Sequence, residues 1–362
     1  MGGGYGDRMC DAEVGFASAR LASPRPVVGA AVDPITLTEV DEVRVTTLVD
    51  NTFDALLVDD ERTRRVSFGA GTMAATQFDG GTTAVGLVAE HGFAAMVTVR
   101  RGAAITTLLF DTGLSPGAMV TNADRLGVDL DDFQAVVLSH GHFDHAGGLA
   151  GLIDRGGARR LPMVVHPLVW TPRRLAVPGQ DVFELPTLSR RALEGEGFEV
   201  IERRVPSLLL DGAVLITGEV DRTTEFERGM PPSHQALVGG EWRHDAMVID
   251  DQALIVHVRD RGLVVLTGCG HAGAVNIVRH AQRLTGVSRL HALIGGLHLS
   301  GPAFEPIIGP TVAALTAAAP DLIVPGHCTG WRAQHALAAA LPDAWVQGSS
   351  GTTYHVSAPV AA

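Results

Sequence analysis

The sequence contains no lysine: all 28 of its basic residues are arginine. That absence excludes Schiff-base chemistry through a lysine, and nucleotide binding through a P-loop lysine. Cysteine is scarce, at 3 residues, too few for a disulfide framework and in keeping with a reducing compartment. No apolar run reaches the roughly 18 residues of a membrane span. No charged segment followed by an apolar stretch opens the chain, so a soluble cytoplasmic protein is the expectation. Positive charge is also short, 28 basic against 40 acidic residues for a net −12. A protein that coats nucleic acid needs a basic surface to displace counterions, so neither a nucleic-acid partner nor a membrane is expected.

Apolar residues are plentiful at 46 %, enough for a large core and against wholesale disorder. At 362 residues the chain has room for two domains or one large α/β fold. Residues 1–40 are rich in Gly, Ala and Pro without periodicity and read as a poorly structured arm. From Val43 apolar strands follow: VRVTTLVDN, GLVAEHGFAAMVTV, AAITTLLFDTG, Ala135–Leu138 and RLPMVVHP. Patterning weakens over about 168–240, an expected insertion able to cover a site. It resumes with DDQALIVHV, GLVVLTG, LHALIGGLHL and DLIVPG, interleaved with helical patterns over 274–284, 311–318 and 332–341. Strands and helices in two halves predict a layered α/β sandwich, one domain over 41–362.

Histidine is abundant, at 15, and the motif His140-Gly-His142-Phe-Asp144-His145 follows an apolar strand directly. A turn through Gly141 can point His140 and His142 at one ion, leaving Asp144 and His145 for a second. Neutral imidazole and carboxylate suit Zn, Fe or Mn. Two ions about 3.5–4 Å apart can clamp a substrate oxygen and activate water.

SHGHFDHAGGL resembles the HxHxDH signature of the metallo-β-lactamase superfamily. LLFDTG, TGEV, TEFE, DDQALIV, LTGCGHAGAVNIV, IGGLHL and PGHCTG resemble its branch named for 7,8-dihydropterin-6-methyl-4-(β-D-ribofuranosyl)aminobenzene-5′-phosphate synthase, over roughly residues 43–356. The resemblance implies a four-layer αββα sandwich and two divalent metal ions, with zinc leading and Mn or Fe as alternatives. It assigns His140 and His142 to the first metal, Asp144 and His145 to the second, and His271 and His327 as further ligands. Where the superfamily often carries a bridging aspartate, this sequence offers Cys269 and His271, which leaves the bridging ligand open. Gly270 and Leu297 stand where the branch more often has Ser and Phe.

The activity implied is that of a dinuclear metallohydrolase, with a metal-activated hydroxide attacking an ester, lactone, amide or phosphoester. Asp144 and His298 are the catalytic candidates. The branch name implies an alternative, a transferase releasing diphosphate; iron at the same ligands would give a redox enzyme instead. Asp111 reads either as a turn residue or as the partner that orients a ligand histidine. His166 is a candidate for the pocket lining, as are His234 and His244. Glu225 reads as a solvated loop charge or, by resemblance, a substrate contact. Arg173 and Arg174 suit either an anionic substrate or the surface. Cys269 and Cys328 read as packing residues, Cys269 also as a candidate ligand. His91, His257, His280, His291, His335 and His355 have no partner in sequence and read as structural or solvent-exposed. A small-molecule substrate is expected, and the surface is compatible with a homodimer.

Overall fold

The computed structural model describes residues 20–21, 33–66, 71–156 and 160–359. Two sheets form the frame. One has eight strands, in spatial order Phe198–Glu202, Leu161–Val165, Val136–Val137, Ala104–Phe110, Ala94–Arg101, Glu42–Val49, Thr353–Ser357 and Thr63–Arg64. The other has seven: Arg20–Leu21, Ser207–Leu209, Val214–Ile216, Leu254–Val258, Gly262–Thr267, Leu290–Gly296 and Leu322–Gly326.

Alternate residues along each strand point to opposite faces. Val43, Val45, Val97, Leu108 and Val137 of the first sheet therefore meet Leu254, Val256, Val264, Leu266, Ile294 and Val324 of the second. Each such side chain, fully buried, contributes roughly 1.5–3 kcal/mol. The residues between them face outward. Leu263, Val265 and Leu293 pack on helices Ala274–Thr285, Ile308–Ala318 and Trp331–Ala340. Leu109, Val136 and Met163 pack on helices Ala118–Leu126 and Leu149–Gly156. Strands covered on both faces read as unbroken apolar runs, which is why GLVVLT is buried throughout. The layers are helix, sheet, sheet, helix: the expected αββα sandwich.

Strand direction places the chemistry. Ala104–Phe110, Val136–Val137 and Leu161–Val165 run parallel. So do Gly262–Thr267, Leu290–Gly296 and Leu322–Gly326, with Thr267 beside Gly295 and Gly296 beside Gly326. Parallel strands deliver the loops at their C-terminal ends to one edge of a sheet. One edge carries Asp111, Ser139–His145 and His166; the other carries Cys269–His271, His298 and His327.

Several boundaries differ from expectation. The stretch 168–240 is not one insertion. Phe198–Glu202 is an edge strand of the eight-stranded sheet, and Ser207–Leu209 and Val214–Ile216 belong to the seven-stranded one. Only Arg173–Leu175, Phe183–Glu184, His234–Val238 and Glu241–His244 form a separate four-stranded sheet. Short strands of three sheets alternate here, so no period builds up. The strand expected over GLVAEHGFAAMVTV begins only at Ala94. Upstream of it, the Val88 N–H and carbonyl pair with the Asn122 side chain (both 2.8 Å) rather than with a strand. Of the expected arm, residues 1–19 and 22–32 lie outside the described residues. Ile35, Leu37 and Val40 are buried, and the Ile35 N–H donates to the Leu284 carbonyl at 2.7 Å. Packing thus starts ahead of residue 41.

Candidate metal centre

The HGHFDH segment leaves strand Val136–Val137 and closes with a single turn, Phe143–His145. Gly141 lies against the Val169 backbone, where a Cβ would come within 2.6 Å of the carbonyl oxygen. Opposite, a Cβ on Gly268 would stand 2.7 Å from Asp111 Oδ2. Glycine at both places lets the loops of the two sheets close on each other.

Hydrogen bonds decide which edge of His140, His142, His145 and His327 faces inward, while His271 Nδ1 has no partner. His145 Nδ1 lies 2.7 Å from Asp111 Oδ2, and an ionised carboxylate only accepts, so Nδ1 donates and Nε2 faces the centre. Asp111 also accepts from the Ser139 N–H and hydroxyl, both at 2.7 Å. That leaves the Ser139 oxygen to accept from His140 Nδ1 at 2.9 Å, turning His140 Nε2 inward. His327 Nδ1 faces Asn51 Oδ1 at 3.3 Å. His142 is oriented from further away. His234 Nδ1 donates to the Asp245 carbonyl (3.1 Å), so His234 Nε2 accepts from His142 Nε2 (3.0 Å) and the His142 Nδ1 lone pair points inward.

Donor atoms among the described residues form three groups that overlap at Cys269. Asp144, His145, Cys269 and His327 make one, His140, Cys269 and His271 the second, and Cys269, His298 and Cys328 a smaller third; in each, all donor atoms lie within 4.8 Å of one another. His142 joins the second through Nδ1, 3.1 Å from His271 Nε2. Cys269 Sγ lies 3.2 Å from His145 Nε2 and 3.3 Å from His327 Nε2, and His327 Nε2 lies 3.3 Å from Asp144 Oδ2. Nitrogen ligands at about 2.0–2.1 Å from a tetrahedral zinc are about 3.3 Å apart, and a nitrogen–sulfur pair about 3.5 Å. His140 Nε2 is buried and has no hydrogen-bond partner. Spacing, donor chemistry and this orphaned nitrogen all fit divalent cations.

The electrostatics agree. Burial, reinforced by neighbouring cationic groups, holds His140, His142 and His271 well below the ordinary histidine value, hence as neutral rings. Burial opposes charge on His145 too, but the Asp111 and Asp144 carboxylates outweigh it and push its pKa up to about 9. For Asp144, burial is overcome by His145 and His327, which keep it a carboxylate. Burial pushes the Cys269 thiol up. Burial also raises Asp251, to about 6. Asp251 accepts from the Ala272 N–H at 2.8 Å and stands 4.0 Å from His140 Nδ1. The centre opens at Asp144, whose side chain is 11 % exposed, where the exposed His91 ring approaches its Oδ2 at 3.7 Å.

His140, His142, Asp144, His145, His271 and His327 are thus brought together, with Asp111 behind His145 and Cys269 at the overlap. His298 borders them. Its ring is 4.2 Å from that of His271, and its Nδ1 has no partner. Asp111, His298 and His327 all have left-handed backbone, with φ of 58°, 45° and 47°, a costly conformation that clusters at functional sites. His166 stays outside the cluster, buried, capping its own turn through the Leu168 N–H and facing Glu219 at 3.3 Å. Glu225 is exposed; the buried carboxylate of TEFE is Glu227, which caps helix Ala274–Thr285 by accepting from the Val275 and Asn276 N–H groups. Arg173 is no surface charge. It pairs with Asp245 and Asp250, and Asp250 accepts the Gly141 N–H at 2.9 Å, bracing the HGH turn. Arg174 stacks on Trp242 and His244 is exposed, bonded to the Met230 carbonyl.

Sequence reasoning missed Asp50, Asn51, the site role of His91, and the grip of His234 on His142. Asp50 accepts the His327 N–H at 2.7 Å from 277 residues away, and no spacing along the chain signals that. The DN pair closing the first strand is the nearest thing to a clue.

The architecture is that of the metallo-β-lactamase fold. The family model described as "Metallo-beta-lactamase superfamily" matches residues 105–275. The crystal structure of Tm1679, "a metal-dependent hydrolase of the beta-lactamase superfamily", superposes with a TM-score of 0.63 at 24 % identity, covering 87 % of this chain and 100 % of that one. The chain is also 27 % identical over 252 residues to the 7,8-dihydropterin-6-methyl-4-(beta-D-ribofuranosyl)-aminobenzene-5'-phosphate synthase of Methanocaldococcus jannaschii, covering 68 % of this chain and 83 % of the relative. An uncharacterized protein of the same organism is also 27 % identical, over 245 residues, covering 68 % and 86 %. No helix among the described residues is long and apolar enough to cross a membrane.

Proposed function

We propose that the protein is a dinuclear metal-dependent hydrolase of a small-molecule ester, lactone, amide or phosphoester. One observation carries this reading: donor atoms from loops of both sheets converge, with the rings of His142 and His145 oriented from behind. When bound, two divalent cations, zinc first and Mn or Fe as alternatives, supply Lewis acidity at a substrate oxygen and activate water at neutral pH. The chain's own residues do the rest. Asp144 presents the one partly exposed carboxylate of the cluster and accepts a proton from the attacking water. His91, beside it at the mouth, passes that proton to solvent. His298, with Nδ1 free of protein partners, is placed to protonate a leaving group on the other side.

Elemental analysis of the isolated protein, joined to a screen of phosphodiesters, lactones and β-lactams, tests the reading. Two transition-metal ions per chain and hydrolysis lost in His142→Ala are expected. Absence of bound metal overturns it, as does full hydrolysis by a metal-depleted His142→Ala.

The relative named as a synthase supports a second reading on the same site, group transfer with departure of diphosphate. Diphosphate release from a dihydropterin diphosphate, only when an aminobenzene ribofuranosyl phosphate is also present, would favour it over hydrolysis.

A further inference from the structure

Cys269 is the one residue common to the two main donor groups. Its sulfur faces His145 Nε2 and His327 Nε2 at 3.2 and 3.3 Å on one side. On the other it lies within 4.8 Å of the donor atoms of His140 and His271. Asp144 belongs to only one of these two groups, with His145, His327 and Cys269, and Asp251 belongs to neither, its Oδ2 accepting the Ala272 N–H. The sulfur is also held in place. Gly296 packs under it so closely that a Cβ there would stand 3.1 Å from Cys269 Cα, and the Cys328 thiol donates to the Cys269 carbonyl at 3.3 Å.

We propose that Cys269 Sγ is a single-atom bridge shared by both metal positions. The inference rests on the dinuclear reading above and deepens it. On loading, the thiol proton leaves to solvent and the thiolate donates one lone pair to each cation. A carboxylate bridges through two oxygens; one sulfur atom does so alone and favours thiophilic cations such as Zn, Fe(II) or Co(II) over Mg or Mn.

Cobalt(II) added to metal-free protein is the probe. The wild type is expected to bind two cobalt ions per chain and to show a sulfur-to-cobalt charge-transfer band in the near ultraviolet. Cys269→Ser loses the band, Cys269→Asp holds two ions without it, and Cys328→Ala keeps it. His271→Ala and His327→Ala, which each cripple one position, both keep the band on the cobalt that remains. A band in only one of these two makes Cys269 a ligand to a single ion and overturns the bridge. A band that survives Cys269→Ser assigns the sulfur elsewhere and also overturns it. Should neither histidine variant hold cobalt, Cys269→Ala decides. A shared sulfur predicts that both ions bind more than about tenfold more weakly, since even loss of a ligand's outer hydrogen-bond partner costs 10–100-fold. One ion retained at wild-type affinity refutes sharing. If the wild type binds fewer than two ions, the dinuclear reading itself has failed, a result distinct from all of these.

Discussion

The two donor groups are built alike and charged differently. Each takes two protein donors from the eight-stranded sheet and shares or adds two from the seven-stranded one: His140 and His142 with His271 and Cys269, Asp144 and His145 with His327 and Cys269. The first is made of buried neutral rings steadied by neutral or remote partners, a serine hydroxyl and another histidine. The second has Asp144 among its donors, with the exposed His91 ring beside it, and Asp111 directly behind His145. The difference separates a group suited to holding an ion from one suited to exchanging protons with a substrate.

The strongest way to break that contrast is to remove the carboxylate. Asp144→Asn is expected to lower kcat/KM on the order of 10³-fold, the scale of losing one electrostatic stabiliser. The first position should still fill, as elemental analysis would read. Equal loss of both ions would mean the groups are not separable.

The outer partners give a smaller and more selective effect. Asp111→Asn should weaken the second position about 10–100-fold, and His234→Ala the first by about tenfold, each sparing the other. His234→Gln should restore most of the loss, because its amide oxygen can still accept from His142 Nε2. Chelator competition titrations measure all three variants.

Acid sharpens the same comparison. In metal-free protein His145, with a pKa near 9, is an imidazolium at neutral pH, and its Nε2 has no lone pair to give. A cation must displace that proton. Apparent affinity at the second position should therefore rise about tenfold per pH unit up to about 9 and level off above it. His140, His142 and His271 are already neutral, so the first position should show a slope shallower by about one. Folding of the metal-free protein carries the opposite sign: the raised His145 pKa stabilises it fully below about 6.5, and that contribution is lost as pH climbs towards 9.

The smallest expected effect concerns two neighbours of unlike burial. Glu227→Ala removes the cap of helix Ala274–Thr285 and should cost about 1 kcal/mol. Glu225→Ala, on the exposed side, should stay within about 0.5 kcal/mol. Thermal melts of both variants decide whether the TEFE loop acts as a helix cap.

What the sequence made legible was what lies contiguous in it. HGHFDH declared itself because Asp144 and His145 lie within five residues of His140 in one loop. The layers followed from periodic apolar runs such as GLVVLT. Cys269, His271 and His327 came through resemblance rather than spacing. Contacts closed by folding were silent: His142 meets His234 across 92 positions, and Asn51 reaches His327 across 276. Glu225 and Glu227 differ by two residues and an identical side chain, and only the arrival of a helix N-terminus buries one of them. Weak patterning over 168–240 was visible, but its division among three sheets was not, because strands of two to five residues are too short to show a period.

Neither sheet supplies more than half of a coordination sphere. The seam where their loop edges meet therefore works as an inspection point for assembly. A chain with one sheet slipped in register, or with the halves docked askew, presents two or three donors to a cation and releases it. On the dinuclear reading, only the correctly closed sandwich would retain a pair of cations, and a cation at 100 times its dissociation constant would add about 2.7 kcal/mol in favour of that arrangement alone. The ions would thus certify the fold that holds them before they meet any substrate.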